Sequence, residues 1–463
     1  MASLTSLCLA SMATMRHSAA LVAKTAPIYA LPYELTKEIL SLTLTPRECT
    51  WGPPRGPGIL LPPNARDVLT LCRVCALWRH IMIESPRLWA IPKMPITDRM
   101  GRLSVEATHM FLDRSGQHSV NVDVCPIWHK QAVELPRRVA KASNRWRKFQ
   151  LQYFNSPLSK AEVAALAPLI RGHWERLVEV DFWISDAANW DSSILDFTDA
   201  PLLHTVSLTV PTNFILPPIQ WAQLTHLNLA HPCPLTCLDI LQSCENIVSA
   251  QISTLQWSDS DDLPPQFAVT AKLEHLADLE LTMRVSTSEA HPHLQPFLRS
   301  IRAQSLTKLS LSLSIHLDHR ELLPISPALE SFLLHSRRLE HLSLDNCASP
   351  HDLPDLLLRT PLLTSLKLKL QGTPGREFML ALTGNLIPKL QSLELELLDV
   401  GSPAVTVDFP YVEFAEMVES RLGTLKDVVV EDQLGPRTLF HPSWFLEFKH
   451  RVFREGLRLC FLL

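Results

Sequence analysis

The hydrophobic positions along this chain follow two different periods. From Leu177 onward a six-residue pattern, L-x-x-L-x-L, returns at Leu203–Leu208 (with Val206 in the fourth place), Leu224–Leu229, Leu276–Leu281, Leu306–Leu311, Leu339–Leu344, Leu363–Leu368 and Leu390–Leu395. Degenerate copies stand at Leu177–Phe182, Ile247–Ile252 and Leu422–Asp427. Alternation inside the pattern sets the leucines on one face of a short strand and the residues between them on the other. No single unit can bury its leucines alone, so the units are expected to stack into one core with a parallel sheet. Segments between the strands, such as Leu353–Leu358 and Phe378–Leu382, are expected to return as helices or turns.

Ahead of the repeats the period is helical. Leu35, Ile39 and Leu42 recur at i, i+4 and i+7, behind a Pro32 suited to a first helical position, where its missing N–H has no partner to lose. Six prolines and three glycines between Pro46 and Pro63 define a loop. Asn64 is then expected to cap a second helix whose apolar stripe is Val68, Leu71, Cys72, Cys75, Trp78 and Met82, stopped at Pro86 and followed by Leu88 and Trp89. Two such short helices cannot hold a core by themselves and require a partner surface or a neighbouring domain. Further on, Ser159 and Glu162 form a capping box for a helix ending at Gly172. Trp444–Arg454 reads as a closing helix, followed by an apolar tail at 457–463. Residues 90–145 carry no period that assigns an element.

Composition narrows the classes. At 463 residues the chain exceeds one ordinary core, and 46% hydrophobic with 19% charged residues describes a folded, soluble protein. Thirteen glycines against 36 prolines disfavour phosphate-cradling loops and favour short elements with hard stops. A formal charge of −4 gives no reason to expect nucleic acid, and no apolar run is long enough to expect a membrane span. The ten cysteines are scattered as expected for reduced thiols of a cytoplasmic and/or nuclear protein. Residues 1–30 hold Arg16 and Lys24 and no acid, like a weak presequence, but read as a disordered extension.

Three segments carry a family resemblance: Leu31-Pro32 with Glu34-Leu35 and Glu38-Ile39-Leu40, then Leu71 to Arg79 with its V-C-x-x-W centre, then Ser85 to Trp89. In this order they resemble the F-box of fungal-type F-box proteins, and Asp113-Arg114-Ser115-Gly116 is similar to an element common downstream of it. The long loop at 46–63 departs from many members. The resemblance implies binding of a Skp-type adaptor and a cullin scaffold in a ubiquitin ligase. It also implies that Leu31, Pro32, Leu35, Ile39, Val74, Cys75, Trp78 and Trp89 contact the adaptor or pack the module. The alternative is that these are core helices of another α domain. The repeat intervals, 21 to 33 residues, fall mostly in the leucine-rich-repeat range, the longer ones indicating inserted helix or loop.

The expected fold class is therefore α/β: a helical F-box at 31–92, a connector and cap at 93–173, an irregular leucine-rich-repeat solenoid with a short-stranded parallel sheet at 174–432, and a C-terminal cap at 433–463. No catalytic, calcium-loop or nucleotide-loop motif is present. Cys72 and Cys75 fall on a buried stripe and read as core. The pairs His291/His293 and His316/His319, and the group His231, Cys233, Cys237 and Cys244, match no metal spacing, and Asp259 to Asp262 reads as an exposed loop. No cofactor is expected. Recognition is assigned instead to the outward strand positions, with His226, Asn228, Lys308, His341, Lys367 and Glu394 as candidates for contact with a protein substrate. Lys367 is expected to face Glu394, and Lys369 to face Glu396. The function expected is substrate recognition in a Skp-cullin-F-box ligase, without catalysis by this chain. The alternative is a leucine-rich-repeat scaffold acting outside a ligase.

Overall fold

Strands of the repeat region bury alternate side chains, with Glu396 of the Ser392–Leu398 strand an added buried position, and this alternation sets the architecture. The computed structural model describes residues 31–44, 63–90, 93–97, 101–125, 139–153, 166–167, 172–184, 196–211, 214–255, 271–285, 297–315, 326–345, 352–371, 373–383, 386–398, 409–432 and 442–462. They fall into two units, residues 1–152 with 164–177, and residues 153–163 with 178–463.

The first unit holds helices α1 (Tyr33–Thr43), α2 (Pro63–Val74), α3 (Ala76–Ile83), α4 (Pro86–Ala90) and α5 (Gly101–Arg114). Its parallel strands are β1 (Lys93–Thr97), β2 (Val120–Cys125) and β3 (Trp146–Tyr153). Parallel strands thus begin inside the span expected to be a connector. They escaped the leucine pattern because Val120, Val122 and Val124 supply the buried face of β2. Trp89, Trp146, Phe149 and Trp174 are fully buried here, with the Trp146 and Trp174 rings 5.4 Å apart.

The Asp113–Gly116 segment ends α5. Arg114 lies over the Trp89 ring at 4.4 Å, and the Ser115 hydroxyl donates to the Leu112 carbonyl at 2.9 Å. The buried Arg145 guanidinium reaches the Ser115 Oγ at 3.4 Å and the Leu112 carbonyl at 3.3 Å. Gly116 takes φ +56°, a left-handed conformation open to glycine and strained for most other residues. The segment therefore clamps the C-terminal end of α5 against the tryptophan.

The second unit is a solenoid-like α/β array. Its strands are β4 (Glu179–Ile184), β5 (Thr205–Thr209), β6 (His226–Ala230), β7 (Ser249–Leu255), β8 (Ala271–Lys272), β9 (Asp278–Val285), β10 (Ile301–Arg302), β11 (Lys308–Ile315), β12 (His341–Asp345), β13 (Ser365–Gln371), β14 (Ser392–Leu398), β15 (Asp427–Asp432) and β16 (Arg458–Leu462). All but β8 and β10 join one sheet in chain order, every neighbour parallel, while β8 and β10 pair separately. Helices α6 (Pro234–Ser243), α7 (Ser326–His335), α8 (Leu353–Leu357), α9 (Arg376–Thr383), α10 (Tyr411–Ser420) and α11 (Ser443–Arg454) lie between strands, including both segments where sequence predicted them.

The register shows why the leucines recur. Leu342 stands beside Leu366, and Leu366 beside Leu393; Leu344, Leu368 and Leu395 form the next row, all buried. One residue before each strand, a backbone ladder runs from repeat to repeat: Thr307 N–H to Ala277 O at 2.9 Å, then Glu340 to Thr307, Thr364 to Glu340, Gln391 to Thr364 and Lys426 to Gln391, each at 2.8 Å. The ladder satisfies backbone groups that would otherwise be stranded at the strand entrance.

Two expectations are corrected at the C-terminal end. The copy placed at Leu422–Asp427 is three residues early: Val428 and Val430 occupy the rows of Leu393 and Leu395, and Leu425 is the buried residue ahead of the strand. Valine in both strand positions hid it. The apolar tail is a further strand, β16, with Leu459 and Phe461 beside Val428 and Val430. The closing helix is found at Ser443–Arg454, where Phe445, Phe448 and Val452 are buried, and Tyr411, Phe414 and Phe461 gather around Phe445. Several expectations lie outside the described residues: the extension at 1–30, most of the loop at 46–63, the helix from Ser159, both histidine pairs, and Asp259 to Asp262.

Candidate functional site

Two surfaces carry the residues that sequence singled out, one on each unit. In the first unit, α1 starts at Tyr33, one place later than expected, so that Pro32 is its N-cap and not its first helical residue; the Pro32 carbonyl accepts from Thr36 N at 3.0 Å and Thr36 Oγ1 at 3.2 Å. That second bond lets Thr36 be buried without a stranded hydroxyl. The buried face of α1 is therefore Thr36, Leu40 and Leu44. The stripe of Leu35, Ile39 and Leu42 points the other way and is 53%, 39% and 64% exposed. It is the reverse of the core assignment that a helical apolar stripe ordinarily receives.

The second predicted helix is two. Cys75 sits between α2 and α3 in an extended conformation, and its Sγ accepts from the Trp78 N–H at 3.4 Å as the N-cap of α3. Arg79 Nε donates to the Cys72 carbonyl at 2.9 Å, placing a cation at the C-terminal end of α2, where the helix dipole favours one. Cys75 is thus a cap, not a mid-helix core residue, and Asn64 lies inside α2, which begins at Pro63. Around the break Val74, Leu77 and Ile83 are exposed, while Val68, Ile81 and Met82 are buried. Trp78 and Cys75 are half-buried, as is Leu31; Pro32 is exposed. α1 packs against α3, and among the described residues apolar side chains on α1, α2 and α3 face outward.

Of the two roles the resemblance implies, Trp89 has the packing one. It is fully buried, its Nε1 donates to the Met82 carbonyl at 2.7 Å, and its ring lies 5.1 Å from that of Phe111. No partner can touch it.

On the second unit the outward positions line up in rows across the parallel strands. One row runs Thr205, His226, Ser249, Asp278, Lys308, His341, Ser365, Ser392, Asp427 and Arg458; the next contains Asn228, Gln251, Glu280, Ser310, Ser343, Lys367 and Glu394. All six predicted substrate positions lie in these rows: His226, Asn228, Lys308 and His341 are exposed, Lys367 and Glu394 half-exposed. The expected facing of charges is found, with Lys367 Nζ 2.6 Å from Glu394 Oε1 and Lys369 Nζ 2.7 Å from Glu396 Oε1. The hydrogen bonds that the two ammonium groups donate to these carboxylates raise both lysine pKa values. Lys308 is likewise held by Asp278 at 2.9 Å. Sequence reasoning passed over the acids Asp345, Asp427 and Glu431 of the same face; the register sets Asp345 beside Lys369, Asp427 beside Ser392 and Arg458, and Glu431 beside Glu396.

The thiols near His231 are packing groups. Burial pushes Cys237 and Cys244 up to about 12, so both are protonated, and burial lowers the pKa of His231, whose Nδ1 accepts from the Cys233 N–H at 3.0 Å. Among the described residues no three His, Cys, Asp or Glu side chains are grouped to hold a metal ion. Among the same residues no helix is long and apolar enough to cross a membrane.

No family model matches the chain, and no curated protein matches it. Solved structures give loose likenesses. One is the TLR13–ssRNA13 complex, with TM-score 0.35 and 15% identity over 82% of this chain; this chain spans 52% of that one, about half its length. Another is the Rad7 and Elc1 complex in yeast, with TM-score 0.33 and 14% identity over 98% of this chain and 97% of that one. Scores this low transfer nothing from either protein. The class is defined by the chain's own register: a short-stranded, largely parallel sheet with flanking helices in a solenoid-like α/β array.

Proposed function

We propose that this protein is the substrate-recognition subunit of a Skp-cullin-F-box type ubiquitin ligase, acting in the cytoplasm and/or nucleus. The first unit docks on a Skp-type adaptor and through it on the cullin scaffold, and the outward sheet face of the second unit captures a protein substrate. The chain itself carries out no reaction; its partners deliver ubiquitin to a lysine of the captured protein.

One observation carries this reading. The helices that bear the F-box-like motifs satisfy their own interior with Leu40, Val68, Ile81, Met82, Leu88 and Trp89, yet leave Leu35, Ile39, Leu42, Val74, Leu77 and Ile83 in water. Full burial of such a side chain stabilises by roughly 1.5–3 kcal/mol relative to exposure. Covering six that are already partly buried offers several kcal/mol, enough to offset the rigid-body cost of association when the cover fits well.

The test is co-purification of the intact chain with purified Skp-type adaptor and cullin, for wild type and for Leu35→Asp with Leu42→Asp. Retention of both partners by wild type and loss by the variant, with unchanged circular dichroism, supports the reading. Failure of the wild type to retain the adaptor leaves a repeat-based binding protein outside any ligase.

A further inference from the structure

A pair of cysteines brackets the break that divides the second predicted helix. Cys72 lies in the last turn of α2, and Cys75 is the extended residue between α2 and α3; both thiols are free and half-buried. The backbone is helical through Val74, so the Cα of Cys75 still follows the path of α2. Helix dimensions then set it roughly 5 Å from the Cα of Cys72. That separation falls inside the span of roughly 4.4–6.8 Å that a disulfide bridges.

The two residues hold the backbone in different ways. Cys75 Sγ accepts from the Trp78 N–H at 3.4 Å and so caps α3, and a bond to Cys72 draws that sulfur away from its cap position. At Cys72 the bond from Arg79 Nε is to the carbonyl, at 2.9 Å, and does not involve the thiol. Changing the sulfur chemistry here therefore acts on the start of α3 and leaves the end of α2 held. The break also lies between the outward side chains Val74 and Leu77, on the face read above as the adaptor's seat.

We propose that Cys72 and Cys75 form a reversible disulfide that uncaps α3 and thereby weakens adaptor docking. This rests on the reading of that face as the docking surface. The oxidant is a small-molecule disulfide such as glutathione disulfide. The Cys75 thiolate attacks one of its sulfurs and expels one thiolate, leaving a mixed disulfide on Cys75. The Cys72 thiol then gives up its proton and attacks the Cys75 sulfur, forming the Cys72–Cys75 bond and expelling the second thiolate. The protein dithiol loses two electrons and two protons, and the small disulfide leaves as two thiols. Burial pushes the Cys72 thiol up, against the opposing pull of the Arg114 and Arg79 guanidiniums, which sets this order of attack. In a reducing compartment such a bond is transient, as a switch requires.

The experiment uses the full chain, reduced or equilibrated with glutathione disulfide. Trypsin cuts after Arg66, Arg73 and Arg79, so mass spectrometry reads the bond as Asp67–Arg73 joined to Val74–Arg79, separable by dithiothreitol. Amide exchange at Trp78 is expected to speed up in the oxidised chain. Calorimetric titration with Skp-type adaptor is expected to show about fivefold weaker binding, restored by dithiothreitol. Cys72→Ser, when reduced, is expected to bind adaptor within about twofold of wild type, and under oxidant to stop at the glutathione adduct on Cys75. Cys75→Ser keeps a good N-cap and is expected to show one affinity with and without oxidant. Absence of the joined peptide, a joined chain whose Trp78 exchange or adaptor affinity is unaltered, or an equal loss of affinity in oxidised Cys75→Ser overturns the inference. A reduced wild type that binds no adaptor fails the ligase reading alone, since the joined peptide and the Trp78 exchange still decide the switch.

Discussion

Two leucines on α1 provide a test that separates folding from docking. Leu40 is fully buried and Leu35 is 53% exposed, on the same helix and five residues apart. Truncating a buried leucine to alanine removes its transfer free energy and leaves a cavity, a loss of about 2–5 kcal/mol. For Leu35 only about half of the side chain is withdrawn from water and no closed cavity forms, so the loss is roughly 1 kcal/mol or less. In the proposed adaptor complex the ranking is expected to reverse. Leu35 gives up its remaining exposure on docking, so Leu35→Ala weakens adaptor affinity by about 1–2 kcal/mol, roughly five- to thirtyfold. Leu40→Ala weakens it only through the fraction of molecules unfolded. Urea denaturation followed by tryptophan fluorescence gives the first ranking, since Trp78 and Trp89 lie in this module; calorimetric titration with adaptor gives the second. Equal destabilisation by the two substitutions, or an unaltered affinity in Leu35→Ala, refutes the assignment of the two faces.

Other consequences follow from the second unit. The buried Arg421 donates from Nε to the Leu382 carbonyl at 2.6 Å and from Nη1 to the Ile387 carbonyl at 2.7 Å, so Arg421→Met strands two acceptors and is expected to cost about 3–5 kcal/mol in denaturant unfolding; an undisturbed midpoint contradicts that. A double-mutant cycle on Lys367 and Glu394 is expected to give a coupling below about 1 kcal/mol, because both side chains are substantially exposed. The raised pKa of Lys367 means its contribution is complete below the ordinary lysine value and fades only as pH rises through the raised one, so unfolding midpoints between neutral and mildly alkaline pH do not report it. Cys237 and Cys244, held protonated near 12, are expected to resist iodoacetamide at pH 8 in the native state and to react once the chain unfolds; rapid native labelling excludes the burial described.

The solenoid was largely legible because leucine at alternate positions admits one reading, a strand with one buried face. Where valine replaces leucine the same physics holds but the letter changes, and both Val120–Val124 and Val428–Val430 went unseen or misplaced for that reason. The row-wise pairing of Lys367 with Glu394 was readable because equal spacing from a repeat leucine fixes register. The fate of the apolar stripe on α1 was not. Periodicity says that Leu35, Ile39 and Leu42 share a side, but whether that side faces the chain's own interior depends on Thr36 closing its hydroxyl onto Pro32, a local bond that hydrophobicity does not encode. Likewise the break at Cys75 is invisible to an apolar period that runs straight through it, since the extended backbone there is stabilised by its own thiol capping Trp78.

The central claim is that the outward apolar side chains of α1, α2 and α3 are the adaptor's seat. Amide hydrogen exchange on the intact chain, with and without saturating Skp-type adaptor, addresses it directly. The account predicts slowed exchange confined to Tyr33–Thr43 and the Val74–Ile83 region, with the sheet of the second unit unchanged. Unaltered exchange in both helical segments, or protection appearing on the outward rows of β5 to β15 instead, would contradict it.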